Sequence, residues 1–257
     1  MEIVLICLSA FFAAILTFFS GFGLGTILTP VFMIFFPVNL AIALTGVVHF
    51  FNNIFKLFLV GKSADKQTVL RFGIPAVIAA LVGAWLLLQL TDLRPLFTYS
   101  IGEKTFEVSP VKFIISLLLI VFALMDLLPY FSKLQFGKDK LILGGALSGF
   151  FGGLSGNQGA LRAAFLIKAG LSKAAFIGTA VVVSTFVDLT RLSVYASRFS
   201  RSGLTANLDI VIAATLAAIA GAFLGNKLLK KVTLSFIQRV VAVMLILVSL
   251  ALGAGLI

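Results

Sequence analysis

The chain has 257 residues, 61% of them hydrophobic and 11% charged, with a formal net charge of +11. A soluble domain carries about 25% charged residues, so this composition excludes a soluble fold. The basic residues sit in short loops between apolar runs, where they act as topology signals and lipid-headgroup contacts and not as a nucleic-acid footprint. Cys7 is the only cysteine, which leaves no intramolecular disulfide and no cysteine-built zinc site.

In chain order, apolar segments fall at about 3–19, 24–36, 38–60, 72–90 and 110–130. A second set falls at about 140–153, 157–169, 172–196, 208–228 and 235–256. Several reach the ~18–20 residues that cross a bilayer. The first has Glu2 ahead of it, no basic n-region and no clear small-residue cleavage site, so it is expected to be part of the mature protein. Pro37 separates the second and third segments. Residues 91–110 form the largest loop, where Phe97, Tyr99 and Ile101, then Phe106 and Val108, alternate around Gly102-Glu103-Lys104 and predict a small hairpin.

The two sets read as an internal repeat, 1–132 and 138–257. Shifting the sequence by 135 positions places Ser20-Gly21 on Ser155-Gly156, His49 on Ser184, Asn53 on Asp188, Lys56 on Arg191 and Leu57 on Leu192 without a gap. A three-residue loop adjustment then places Gly83-Ala84 on Gly221-Ala222. The expected fold is an all-α polytopic membrane protein of eight to ten helical segments in two homologous repeats with glycine-broken helices, the internal symmetry of transporter folds. Charge counting favours inverted repeats. One face then collects Lys62, Lys66, Arg71, Lys133, Lys138, Lys140, Lys168, Lys173, Lys227, Lys230, Lys231 and Arg239, against Arg94, Lys104, Lys112, Arg198 and Arg201 on the other. The parallel arrangement splits the basic residues almost evenly. The positive-inside rule therefore puts both termini outside the cytoplasm.

Two stretches break the apolar pattern: FFSGFGLGTILTP at 18–30 and LSGNQGALRAAF at 154–165. Glycines let the backbone leave the helix, and freed polar groups at membrane depth must pack on protein or line a wet cavity. The segment after each break begins with N–H groups that have no helical partner and carry the positive end of the dipole. Together these make a backbone anion site. The candidate substrate-binding residues are Ser20, Gly21, Gly23 and Gly25 in the first copy. In the second they are Ser155, Gly156, Asn157, Gln158, Gly159 and Arg162, the last adding a bidentate donor fork. The competing reading of the glycines is close helix packing. SGFGLG is no dinucleotide fingerprint, because no strand precedes it.

His49, Asn52, Asn53 and Lys56 lie at i, i+3, i+4 and i+7 on one helical face, as do Ser184, Asp188 and Arg191 at i, i+4 and i+7. Asn52, Asn53 and Ser184 are further candidate substrate contacts. His49, Lys56, Asp188 and Arg191 are candidate proton-coupling groups or charge partners, since ionisable residues in spans face the bundle interior or water. Bland readings stand beside these. His49 also fits a hydrogen-bonded core residue, Lys56 a side chain snorkelling to the interface, and Asp188–Arg191 a structural pair. Asp126, near a segment end, is read as interfacial. The sequence shows no Ser–His–Asp set, no HExxH, and no His/Cys/carboxylate cluster for a metal. The expectation is no enzyme, no cofactor and no metal.

The stretches SGFGLGTILTPVF (20–32) and LAIALTGVVHFFNN (40–53), with GFFGGLSGNQGALRAAFL (149–166) and AAFIGTAVVVSTFVD (174–188), resemble the sulfite exporter TauE/SafE-like permeases over nearly the whole chain. The usual triple glycine is Gly-Phe-Gly-Leu-Gly in one copy and Asn-Gln-Gly in the other, and the proline after the break is kept at Pro30 but is Phe165 in the second copy. The resemblance implies a cofactor-free secondary transporter of the bacterial inner membrane. Its partners would be the lipid bilayer and a small sulfur-bearing anion such as sulfite, thiosulfate or an organosulfonate, moved by alternating access with proton coupling as one option. An anion channel and a membrane-embedded enzyme are the rival readings.

Overall fold

The structure is a computed structural model. It describes residues 2–18, 23–128, 136–167, 169–196, 198, 203, 205–228 and 234–257, with the side chains at 126, 160, 228, 234–238, 240 and 241 outside the description. Ser20 and Gly21, and the side chain of Asp126, therefore lie outside the described residues.

Ten helices and one hairpin make up the described fold. The first half holds α1 (Glu2–Thr17), α2 (Gly25–Phe35), α3 (Val38–Val60), α4 (Lys66–Thr91) and α5 (Pro110–Leu127). The second holds α6 (Leu141–Ser155), α7 (Gly159–Leu166), α8 (Lys173–Ala196), α9 (Leu208–Leu228) and α10 (Leu234–Gly253). Four stretches are long and apolar enough to cross a membrane: Val38–Ser63, Lys66–Thr91, Lys173–Ala196 and Thr205–Lys227. The chain is an all-helical polytopic membrane protein. At 1.5 Å per residue α2 is only about 16 Å long and α7 about 12 Å, short of the ~30 Å hydrocarbon layer.

Local sequence sets the boundaries. Phe36 takes an extended conformation (φ −134°, ψ 151°) ahead of Pro37 and ends α2, as the residue before proline tends to do. The Asp65 side chain accepts from Thr68 N at 2.7 Å and caps α4. This half-buried carboxyl is held below its ordinary range by the hydrogen bonds from Thr68. Within α4 a π-turn at Val69–Gly73 ends two residues before Pro75 and accommodates its missing donor and ring. Ser109 caps α5 with Pro110 at its first position. The expected hairpin pairs β1 (Phe97–Ile101) with β2 (Lys104–Val108), Tyr99 facing Phe106. Gly102 at φ +61° takes the first turn position, the place a type II′ turn requires it.

Small residues bring the helices together. Gly145, Gly149 and Gly153 of α6 lie so close to α4 that a Cβ on each would sit 2.1, 1.9 and 2.3 Å from the carbonyl oxygens of Phe72, Ala76 and Ala80. The residue numbers rise together, so α4 and α6 run parallel. Gly221 and Gly225 of α9 approach Phe11 and Ile15 of α1 in the same sense. In contrast, α3 and α8 run antiparallel: Gly46 meets Arg191 and Leu192, Asn53 meets Asp188, and Gly178 meets Val60. A tight turn reverses the chain between α3 and α4, and Gly203, just ahead of α9, lies against Leu40 at the start of α3, so α9 runs with α3. Hence α1, α3 and α9 run one way and α4, α6 and α8 the other. Each short helix lies between two helices of the same direction, so α2 and α7 turn the chain back inside the bundle. Lys62, Lys66, Arg71, Lys138, Lys140, Lys173 and Lys227 gather at one end of the bundle, with Arg94, Lys104, Lys112 and Arg198 at the other.

Candidate functional site

The two helix breaks meet. Gly23 (φ +82°) leads into α2, and Gly156 (φ +75°) closes α6 ahead of α7. Both conformations favour glycine. Gly25 packs on the backbone of the other break, where a Cβ would lie 2.9 Å from Gly156 O. Thr26 Oγ1 donates to Asn157 Oδ1 at 2.7 Å and ties the first turn of α2 to the second break. Ser155 donates to Phe151 O at 2.9 Å and accepts from Asn157 N at 3.3 Å, shaping the turn between α6 and α7. Gln158 folds against Gly152. Gly159 opens α7.

The polar stripes of α3 and α8 face each other at the level of the breaks. Asp188, fully buried, is the hub. Its Oδ2 accepts from His49 Nδ1 at 2.6 Å and from Asn53 Nδ2 at 3.0 Å, while its Oδ1 accepts from Arg191 Nε at 3.0 Å and lies 2.9 Å from Nη2. An ionised carboxylate only accepts, so His49 carries its proton on Nδ1. Its Nε2 faces Gly23: a Cβ there would be 3.1 Å from His49 Nε2 and 3.7 Å from Arg162 Nη2. Tyr195 continues the α8 stripe and donates to Gly153 O at 2.5 Å.

Arg162, in the first turn of α7, donates through Nη1 to Ser184 Oγ. Lys56 Nζ lies 5.3 Å from the centre of the Phe18 ring. Lys56 is 3% exposed, which excludes the snorkelling arrangement. The reason is that its end of α3 is covered: Asp65 N donates to Thr179 Oγ1 of α8 at 2.9 Å, and Gly178 sits against Val60 O.

Between these groups lies a cavity of about 20 Å³ available to the centres of water-sized molecules, above the ~10–15 Å³ that one water needs. Its polar wall is Thr17, Asn53, Lys56, Arg162 and Ser184, and its apolar wall is Phe18, Ile177, Ala180 and Val181, with Gly23 at the break. The structure thus brings Gly23, Asn53, Lys56, Arg162 and Ser184 of the expected residues to one cavity. His49, Asp188 and Arg191 form the layer beside it. Asn157, Gln158 and Gly159 are not on its wall, and the Asn52 side chain is buried with no hydrogen-bond partner among the described residues. Sequence reasoning missed Thr17, Phe18, Thr26 and Tyr195. Tyr195 was findable, four residues beyond Arg191 on the same stripe; Phe18 and Thr26 meet Lys56 and Asn157, far away in sequence, and Thr17, which donates to Ala13 O on its own helix, carried no signal that it lines a cavity. No group of three or more His, Cys, Asp or Glu residues suited to a metal occurs among the described residues.

A polytopic helical bundle with unwound segments and a cationic cavity in its interior is an integral membrane protein built around a buried polar site. The model of the sulfite exporter TauE/SafE family matches residues 6–252, essentially the whole chain. The chain belongs to that family, a family of membrane transporters of sulfur compounds. No curated protein and no solved structure matches it.

Proposed function

We propose that the chain is a secondary permease for a compact sulfur anion, a sulfur oxyanion or short organosulfonate, bound between the two helix breaks. The observation that carries this reading is the cavity itself: Lys56, Arg162, Ser184 and Asn53 converge where the chain is unwound, with no carboxylate on the wall. Arg162 supplies a fixed fork for an oxyanion, Lys56 a second positive charge, and the apolar wall would face a sulfur or a short carbon chain once the cavity, which holds about one water here, widens. His49 Nε2, held beside Gly23 by Asp188, is the proton-handling group of this reading. Asp188, Arg191, Lys56 and Arg162 are the charged groups that face it.

The helix packing supports alternating access as the mechanism of this reading. In this reading 1–132 and 138–257 are inverted repeats. Support comes from exchanged contacts: α1 packs on α9 as α6 packs on α4, and the equivalent helices α3 and α8 are antiparallel. One repeat rocking against the other would open the cavity to each side in turn. The end rich in lysine is cytoplasmic by the positive-inside rule, with the hairpin and both termini on the opposite side of a bacterial inner membrane.

Purified protein in proteoliposomes tests this with ³⁵S-labelled sulfite and thiosulfate. The expected result is saturable uptake driven by the anion gradient, at least tenfold lower in Arg162→Gln, and insensitive to an imposed pH gradient in His49→Gln. Non-saturating flux that follows the membrane potential would make it a channel, and chemical change of the anion would make it an enzyme.

A further inference from the structure

A second and larger hollow lies on the outer surface of the bundle, away from the helix breaks. It has a volume of about 300 Å³, runs between α4 and α8, and is lined wholly by apolar residues. Its floor is Gly73 and Val183, both buried. Gly73 brings no side chain to fill it, and a Cβ there would lie 3.3 Å from Val183 Cγ2, so the two helices already meet at the bottom. Leu70, Ile78 and Phe186 stand at the edges, each more than half exposed. The two walls belong to stretches long and apolar enough to cross a membrane, Lys66–Thr91 and Lys173–Ala196. The hollow therefore opens sideways onto hydrocarbon.

Its length and its charge are those of one lipid leaflet. From Val69 to Ile78, α4 rises about 14 Å at 1.5 Å per residue, close to half of the ~30 Å hydrocarbon layer. Lys66 lies one turn before Val69 and Leu70 on the same side of α4, and Lys62 lies in the turn ahead of it; both are exposed. Arg71, also exposed, sits at the first turn of the hollow, where its long stem can snorkel toward the same level. Asp65 is the one acidic residue of this stretch, and its carboxylate accepts from Thr68 N as the helix cap. Beyond Ile78, α4 carries no charge as far as Thr91. Three cations against one carboxylate thus stand at one end of an apolar groove, and none at the other.

We propose that this hollow binds one anionic phospholipid, an acyl chain lying between α4 and α8 and the headgroup phosphate held by Lys66 with Lys62 and Arg71. The fit is that of an amphiphile with one charged end, and it stands whatever anion the permease moves. A chain in the groove touches protein on its floor and both edges, where a lipid on a convex helix face touches it on one side only. Basic residues at the end of a membrane span attract anionic headgroups, whereas a zwitterionic headgroup brings its own ammonium against the three cations. A second copy of the chain fits less well. Copies in one membrane share their orientation, so a symmetric contact on this face would set Lys62, Lys66 and Arg71 of both copies side by side.

The experiment separates headgroup from chain. The detergent-purified full chain is mixed with equal amounts of phosphatidylglycerol and phosphatidylcholine carrying the same acyl chains, and the lipid retained is counted by native mass spectrometry. The expected result is one retained phosphatidylglycerol per chain, at least fivefold more often than phosphatidylcholine. Lys66→Gln brings the two lipids to within twofold of each other, and Lys66→Arg keeps the preference. Val77→Phe, which fills the hollow, lowers retention of both lipids at least fivefold. If Val77→Phe fails to fold, Phe186→Ala takes its place: it removes one edge and lowers retention of both. Equal retention of the two lipids by the wild type overturns the proposal, as does phosphatidylglycerol retention that neither the Lys66→Gln nor the groove variant changes. A lipid-free dimer that Val77→Phe dissociates also overturns it, and would make this face a contact between copies.

Discussion

Asp188 offers the most direct test of how the centre is held together. Its carboxylate serves three partners and is fully buried, as is Arg191 at 1% exposure. Asp188→Asn keeps the shape but removes the charge. It leaves the Arg191 guanidinium in the interior with Nε and Nη2 facing a neutral amide, and weakens the 2.6 Å contact from His49. Removing one partner of a buried ion pair costs about 3–5 kcal/mol. Arg191→Gln is milder, about 2–3 kcal/mol, because His49 and Asn53 still donate to Asp188 and hydrogen bonds to a charge are worth about 1.5–3 kcal/mol each. The double variant Asp188→Asn/Arg191→Gln removes both charges together and should be at least about 2 kcal/mol more stable than the sum of the single effects implies, a coupling in the range for residues in one network. Thermal unfolding in detergent, read by the rise in thiol labelling of the half-buried Cys7, reports all three; Asp188→Asn should lower the midpoint by on the order of 10 °C. Additive effects, or an Asp188→Asn variant as stable as wild type, would refute the view that this pair is a coupled, buried unit.

The remaining predictions concern packing and ties elsewhere. Gly149→Ala places a methyl group 1.9 Å from Ala76 O and forces α6 from α4, costing about 1–3 kcal/mol as overpacking does. In Gly102→Ala nothing lies within 4 Å of the new Cβ, so only the φ of +61° is penalised, about 1 kcal/mol; equal losses in an unfolding assay would contradict this. Thr26→Val removes the donor to Asn157 and leaves a buried acceptor unpaired, about 1–3 kcal/mol, whereas Thr26→Ser retains stability; identical midpoints for the two would show the tie is idle. Arg198→Ala breaks an exposed pair with Asp92 held at 2.6 Å, and unfolding should shift by less than about 1 kcal/mol, with the small effect vanishing in high salt.

The helical segments were legible because a bilayer demands long apolar runs, and α3, α4, α8 and α9 have them. The hairpin was legible because Phe97, Tyr99, Phe106 and Val108 alternate around a glycine that turn geometry needs. The breaks announced themselves through Gly23 and Gly156. The sequence could not say which polar residues share a wall. Asn157 stands out as a polar group in an apolar run, yet Thr26, 131 residues away, takes its carbonyl oxygen. Lys56 was ambiguous because its burial depends on the 61–65 turn packing on Thr179 and Gly178, a contact with no local signal. The α6 glycines were visible at i, i+4 and i+8, but not that α4 would fill them. The π-turn before Pro75 is the helix adjusting to a proline whose position alone does not specify how the strain is taken up.

The contact between Asn53 and Asp188 carries an argument about the origin of the centre. These residues are equivalent under the 135-position shift, and they touch, Asn53 Nδ2 donating to Asp188 Oδ2 at 3.0 Å. Two residues related by a two-fold axis meet only where they lie on it. In the inverted-repeat reading proposed above, the antiparallel packing of α3 on α8 puts that axis across the helices, in the membrane plane. A residue on such an axis in an unmodified duplicate would face its own copy. Two aspartates there would repel in the interior, and two asparagines would give Arg191 no counter-charge. One of each makes a donor meet an acceptor and leaves a single negative charge, which goes to Arg191 and not to Lys56. In that proposed reading, divergence at this one pair supplies a donor and an acceptor across the contact and leaves its single carboxylate to Arg191.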